Sequence, residues 1–199
     1  MTEHNEIARA ARPETYDPVA KTLHWLMAAG ILFMIGYGLY IVRQPPSMRT
    51  FRLFEVHKSV GMTLGLLAFL RLGWRMRRGA PGPIAGNSAR WELALAHVVH
   101  VALYAAMIAV PIVGWIGASA SGLPMNYFGL FPIPAAVAPS EALQTVMLGL
   151  HGWLNYALIA LLVLHVAGAL KRHVLLRDDT LRRMLPLSRL PSDQSTKDT

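Results

Sequence analysis

Apolar residues fall into four long stretches, at about residues 22–42, 59–74, 93–118 and 142–170, divided by polar or breaker-rich segments. Each is long enough to cross a bilayer core as a helix. With their flanking turns they predict spans at about 18–42, 54–76, 90–118 and 141–172, the fold class being an all-α membrane protein built as a four-transmembrane-helix bundle. Asp17-Pro18 reads as a helix start, with Asp17 as N-cap and Pro18 in the first turn. Gln44-Pro45-Pro46-Ser47 breaks the first helix, and the run from Gly79 to Pro83 opens a loop before the third. Pro111 predicts a kink in the third span. Residues 119–140 carry no charge and are rich in Pro, Gly and aromatics. They predict a structured loop with Tyr127, Phe128 and Phe131 at headgroup level. A short interfacial helix is expected from Asp178 to Pro186. The ordered domain thus covers 17–186, between a mobile N-terminal segment, 1–16, and a disordered C-terminal tail, 187–199.

Composition supports a membrane protein: 54% of the 199 residues are hydrophobic and 15% charged, where a soluble domain carries about 25% charge. No cysteine is present, which excludes thiolate ligands, iron–sulfur clusters and disulfides. The first 20 residues lack the apolar core and cleavage site of a secretory signal, so the first span is expected to be an uncleaved anchor. The formal net charge of +8 raises the question of nucleic acid, and its distribution answers it. Three basic residues precede the first span, four lie in the first loop, five in the second, none in the third and seven in the tail. Both termini and the second loop are therefore placed in the cytoplasm by the positive-inside bias. The charge reports topology and contact with membrane lipid, with no nucleic acid implied.

Candidate chemistry rests on histidine. His151 and His165 lie fourteen residues apart in a span without charge until Lys171. At 3.6 residues per turn they share a face and stand about 21 Å apart along the axis, one near each side of a bilayer. Ionisable groups at such depth are functional by default, and neutral imidazole is a good iron ligand. The plainer alternative is one interfacial and one packed histidine. His57 lies near the outer end of the second span, with Gly61 and Gly65 on its face. His24 lies one turn inside the first span, and His97 and His100 near the inner end of the third. Two b-type haems, each between imidazoles from different helices, fit this layout. At the outer level the only available pair is His57 with His151. At the inner level His165 has three candidate partners; His24 is preferred, with His97 or His100 the alternative. Zinc is disfavoured because no carboxylate or thiolate completes a tetrahedral set.

His24-Trp25-Leu26, His57 followed by Gly61, the run LAHVVHVALYAAMIAVPIVGW, NYFGL in the outer loop and RDDTLRRMLP at the close together resemble the bacterial cytochrome b561 family over residues 17–186. The resemblance implies two haem b groups in a multi-pass protein of the bacterial cell inner membrane, His24 and His165 binding the inner iron and His57 and His151 the outer. It further implies electron transport between an outer-face donor and ubiquinone. Since the family includes a superoxide oxidase, the leading expectation is an oxidoreductase that oxidises superoxide at the periplasmic face and reduces ubiquinone. Arg43, Arg49, Arg52 and Lys58 would focus the anion. His97, His100, Arg172 and His173 are candidate contacts for quinone or propionate. The alternative is a cytochrome b anchor passing electrons between a hydrogenase or dehydrogenase partner subunit and the quinone pool. A haem-free transporter is less well matched, because Glu55, Glu92 and Glu141 lie only at segment ends.

Overall fold

A computed structural model describes residues 15–79, 81–82 and 89–186, and shows four long helices: α1 (Pro18–Ile41), α2 (Met48–Arg78), α3 (Arg90–Ala120) and α4 (Glu141–Leu170). Of the N-terminal segment expected to be mobile, only Thr15 and Tyr16 are described, and the tail 187–199 lies outside the described residues. All four helices are long and apolar enough to cross a membrane. Their outward faces carry Leu32 and Phe33 on α1, Leu66 and Phe69 on α2, Val98 and Val101 on α3, and Trp153 and Val163 on α4, all exposed. Helices apolar on the outside as well as the inside suit a lipid surround.

The helix starts follow their caps. Asp17 accepts a hydrogen bond from the Ala20 N–H at 3.1 Å, with Pro18 in the first turn. α2 begins at Met48 rather than near residue 54, because the Ser47 hydroxyl accepts from the Thr50 N–H at 3.1 Å and Thr50 donates to the Pro45 carbonyl at 2.7 Å. Hydropathy excludes Arg49 and Arg52 from a span; capping admits them to the helix. Ser140 caps α4 through the Leu143 N–H at 3.3 Å. At its far end α4 passes into a π turn, Lys171–Leu175.

Consecutive helices are neighbours: α1 packs on α2, α2 on α3, and α3 most closely on α4. α4 makes no comparable backbone contact with α1 or α2. The shared core is small, formed by Met27 and Ile31 of α1, Ala68 of α2, Val99, Leu103 and Ala106 of α3, and Leu158 of α4. Pro111 is accommodated within α3, its ring seated where Gly65 leaves α2 without a side chain.

Both ends of the bundle are tied. At one, strands β1 (Met125–Tyr127) and β2 (Phe131–Ile133) form an antiparallel hairpin in which Met125 faces Ile133 and Tyr127 faces Phe131. Its turn uses left-handed backbone at Phe128, φ +49°, and Gly129, φ +75°. Glu55, Ser59 and Thr63, successive turns of one α2 face, hold it. The Glu55 carboxylate accepts from the Asn126 N–H at 3.1 Å, and the Ser59 hydroxyl from the Phe128 N–H at 2.9 Å. Thr63 donates to the Ser59 carbonyl at 2.9 Å, so the 2.8 Å contact with Tyr127 has the phenol as donor. This is the hairpin end.

The opposite, tail end carries the start of α1, the α2–α3 loop and the residues after α4. The Trp74 indole donates to Asp17 at 3.0 Å, the Trp25 indole to the Met184 carbonyl at 2.8 Å and Arg183 to the Gly82 carbonyl at 2.8 Å. The helix expected from Asp178 to Pro186 is instead a folded turn with one 3-10 turn, Arg182–Met184. Arg177 adopts φ +50°, and Asp178 is committed to the Arg172 guanidinium at 2.7 Å and the Thr180 N–H at 2.9 Å.

Candidate functional site

The stand-off between α4 and the α1–α2 pair is bridged by imidazoles in two layers. Toward the hairpin end, the rings of His57 and His151 have centroids 6.2 Å apart and planes 74° apart. Toward the tail end, His24 and His165 are 6.1 Å and 66° apart, and His100 meets His165 edge-on at 5.1 Å. Two imidazoles trans on one metal, with bonds of ~2.0 Å to nitrogens lying ~1.1 Å from their ring centres, have centroids ~6.2 Å apart. The two longer pairs have that spacing, and the His100–His165 pair is too close for it.

Backbone positions the hairpin-end rings. A Cβ on Gly114 would stand 2.9 Å from His151 Nδ1, so only glycine lets the imidazole lie against α3. There Nδ1 is 3.0 Å from the Val110 carbonyl. A carbonyl can only accept, so Nδ1 carries the proton and Nε2 keeps the lone pair a metal needs. Asn155, one turn on, donates to the His151 carbonyl at 2.7 Å. Gly38 brings α1 to within 3.4 Å of His57 Cε1, measured from where its Cβ would be, and the Tyr37 ring stacks on His57 at 6.3 Å. His57 Nδ1 is buried without a hydrogen-bond partner. His57, His151, Gly61, Asn155, Met34 and Pro111 are among the residues lining a cavity of ≈ 550 Å³, counted with its open mouth. A buried polar atom without a partner, a glycine-walled approach and a largely apolar cavity together suit a flat apolar cofactor that brings an iron.

Charge marks the tail-end layer. Arg71 donates to the Ala20 carbonyl at 3.0 Å, one turn before His24. Arg71 and Arg75 both lie over the Tyr104 ring, at 6.0 and 5.9 Å, and the Tyr104 hydroxyl is buried without a partner. Lys21 is buried at 8% exposure. His100 Nδ1 is 2.6 Å from the Ala96 carbonyl, which leaves its Nε2 free. Asp17 lies just outside the span. Burial alone would raise its carboxyl, and the Trp74 indole and backbone N–H donors outweigh this, holding it below the usual carboxylate range.

The other expected residues separate. His97 is exposed, whereas His100 is half-buried beside His165. Arg43 is exposed and bonded to the Leu39 carbonyl at 2.6 Å. Arg49 and Arg52 are exposed, and no ion pair involves them among the described residues. Lys58 is paired with Glu55 and lies over the Phe51 ring, so its charge is compensated. Arg172 is engaged by Asp178 and by Thr180 at 3.0 Å, and His173 sits half-buried in the π turn. The roles of Gly114, Asn155, Arg71 and Tyr104 escape a reading built on histidine depth. Asn155 and Arg71 carry a signal nonetheless, as polar side chains within spans.

Compared with known proteins, residues 15–187 match the family model for prokaryotic cytochrome b561. The chain is 36% identical over 174 residues to cytochrome b561 homolog 2 of Escherichia coli K12, covering 87% of this chain and 92% of that one. It is 30% identical over 171 residues to cytochrome b561 homolog 1 of the same organism, covering 82% and 93%. To the probable superoxide oxidase CybB of Yersinia pestis it is 30% identical over 169 residues, covering 84% and 93%.

Proposed function

Because the chain belongs to the prokaryotic cytochrome b561 family, whose members bind b-type haem and carry electrons across a membrane, we propose that it holds two haems and passes electrons from superoxide to ubiquinone. The observation that carries this reading is the matched spacing of two imidazole pairs, 6.2 Å at the hairpin end and 6.1 Å at the tail end. His57 and His151 hold one iron, His24 and His165 the other. Bound there, haems would supply one-electron transfer, and the protein would supply imidazole nitrogens, orientation and a dry surround. His100, off the iron, offers Nε2 to a propionate or a quinone carbonyl, and His173 is a further polar contact at the same end.

The basic bias of the sequence at the tail end supports both termini in the cytoplasm of a bacterial inner membrane, with the hairpin at the periplasmic face. Arg43, Arg49 and Arg52 are then the cations that meet an arriving anion. Superoxide as donor is supported by the name of the Yersinia relative. Two superoxide ions give up one electron each and leave as dioxygen, and one ubiquinone takes two electrons and two protons to become ubiquinol. The test is the purified chain in ubiquinone-loaded vesicles with superoxide generated outside. The expected result is haem reduction followed by one ubiquinol per two superoxide consumed. Haems that superoxide leaves oxidised, and that reduce only with an added hydrogenase or dehydrogenase subunit, would overturn superoxide as donor and make the chain a membrane anchor.

A further inference from the structure

We propose that Arg71, seconded by Arg75, makes the tail-end haem the more oxidising of the two, so that electrons settle at that end; this rests on the two-haem reading above. Arg71 and Arg75 lie one turn apart on one face of α2, and His100 and Tyr104 one turn apart on the facing α3. Both guanidiniums lie over the Tyr104 ring, and Arg71 is anchored to the Ala20 carbonyl at 3.0 Å beside the helix turn that presents His24.

Among the described residues no carboxylate side chain pairs with these arginines. Asp17 faces Trp74 and the first turn of α1, and Glu92 faces Lys171. Buried Lys21 adds to the same sign. Toward the hairpin end Lys58 is compensated by Glu55, and Arg43, Arg49 and Arg52 are exposed, where water and salt screen them. Reduction removes one positive charge from a bis-imidazole haem, so a nearby cation in a medium of low dielectric favours the reduced form. Arginine cannot shed its charge by deprotonation, which makes the bias permanent.

The test is an optical redox titration of the purified holoprotein with the haem count per chain taken by pyridine haemochrome. Wild type should give two one-electron waves, and H57A, lacking the hairpin-end haem, should keep the upper one. R71Q should shift the upper wave's reduction equilibrium about tenfold toward oxidised, ~59 mV for a one-electron couple, and leave the lower wave in place. R71K should restore most of the shift, and R75Q should give a smaller one. Unmoved waves in an R71Q protein that retains two haems overturn the proposal, as does R71K falling as far as R71Q. If R71Q loses a haem, an R75Q upper wave identical to wild type overturns it. A wild-type count below two haems per chain instead fails the two-haem reading on which the proposal stands.

Discussion

The two imidazole layers place nearly the same ring spacing in unlike surroundings. At the hairpin end the rings are set by backbone: Gly114 opens α3 to His151, the Val110 carbonyl fixes its proton, and Gly38 admits His57. At the tail end a third imidazole crowds the pair, and two arginines stand over Tyr104. Position is specified sterically in one layer, while the other adds positive charge beside nearly the same ring spacing. α4 explains how one helix serves both. It stays against α3 throughout, and its two histidines on one stripe meet α2 at one depth and α1 at the other.

The comparison breaks most sharply at Gly114. G114V drives a side chain into the space of the His151 ring and should cost the hairpin-end haem alone, lowering the count from two per chain to one. G149A, where nothing lies within 4 Å of an added Cβ, should keep both.

Next in size is the clamp over that layer. S59A removes the acceptor for the Phe128 N–H from a side chain with no exposure, which should destabilise the hairpin by ~1–3 kcal/mol. Faster proteolysis within residues 123–134, with the upper redox wave unmoved, checks it.

At the tail end, D17A loses an N-cap and the acceptor for Trp74, and a loss of ~1 kcal/mol is expected from thermal melting. The folded carboxyl titrates below its usual range, so its contribution is complete above the unfolded value and is lost as pH falls through the lower folded value. The wild-type and D17A difference should therefore stay flat from about pH 5 to 8 and shrink only in stronger acid.

The smallest effect is expected at the exposed hairpin-end arginines. R49Q/R52Q should slow superoxide consumption roughly threefold at low salt and not at high salt. K58Q should change it less, since Glu55 already balances Lys58.

Much of this was legible in the sequence because membrane spans and the cost of burying histidine leave strong marks. The four long apolar helices, the Asp17-Pro18 start and the sorting of the histidines into two layers follow from hydropathy, capping and helical period. The 54–76 estimate for the second span stops short because Ser47 starts its helix in a charged stretch that hydropathy scores as loop. The expected helix after α4 fails because Asp178 spends its oxygens on Arg172 and Thr180. Spacing alone could not choose the partner of His165, since His24, His97 and His100 share a depth. In three dimensions their distances differ: His24 stands 6.1 Å from His165, His100 5.1 Å, and His97 is exposed. Nor does periodicity carry a signal for contacts between distant helices, such as Gly114 against His151 or Arg71 against Ala20.

The account depends on four imidazoles acting as two pairs, and haem per chain by pyridine haemochrome across single substitutions tests it most directly. Wild type and H100A should each carry two haems, and H24A, H57A, H151A and H165A one each. Two haems retained in H165A, or one lost in H100A, would contradict it.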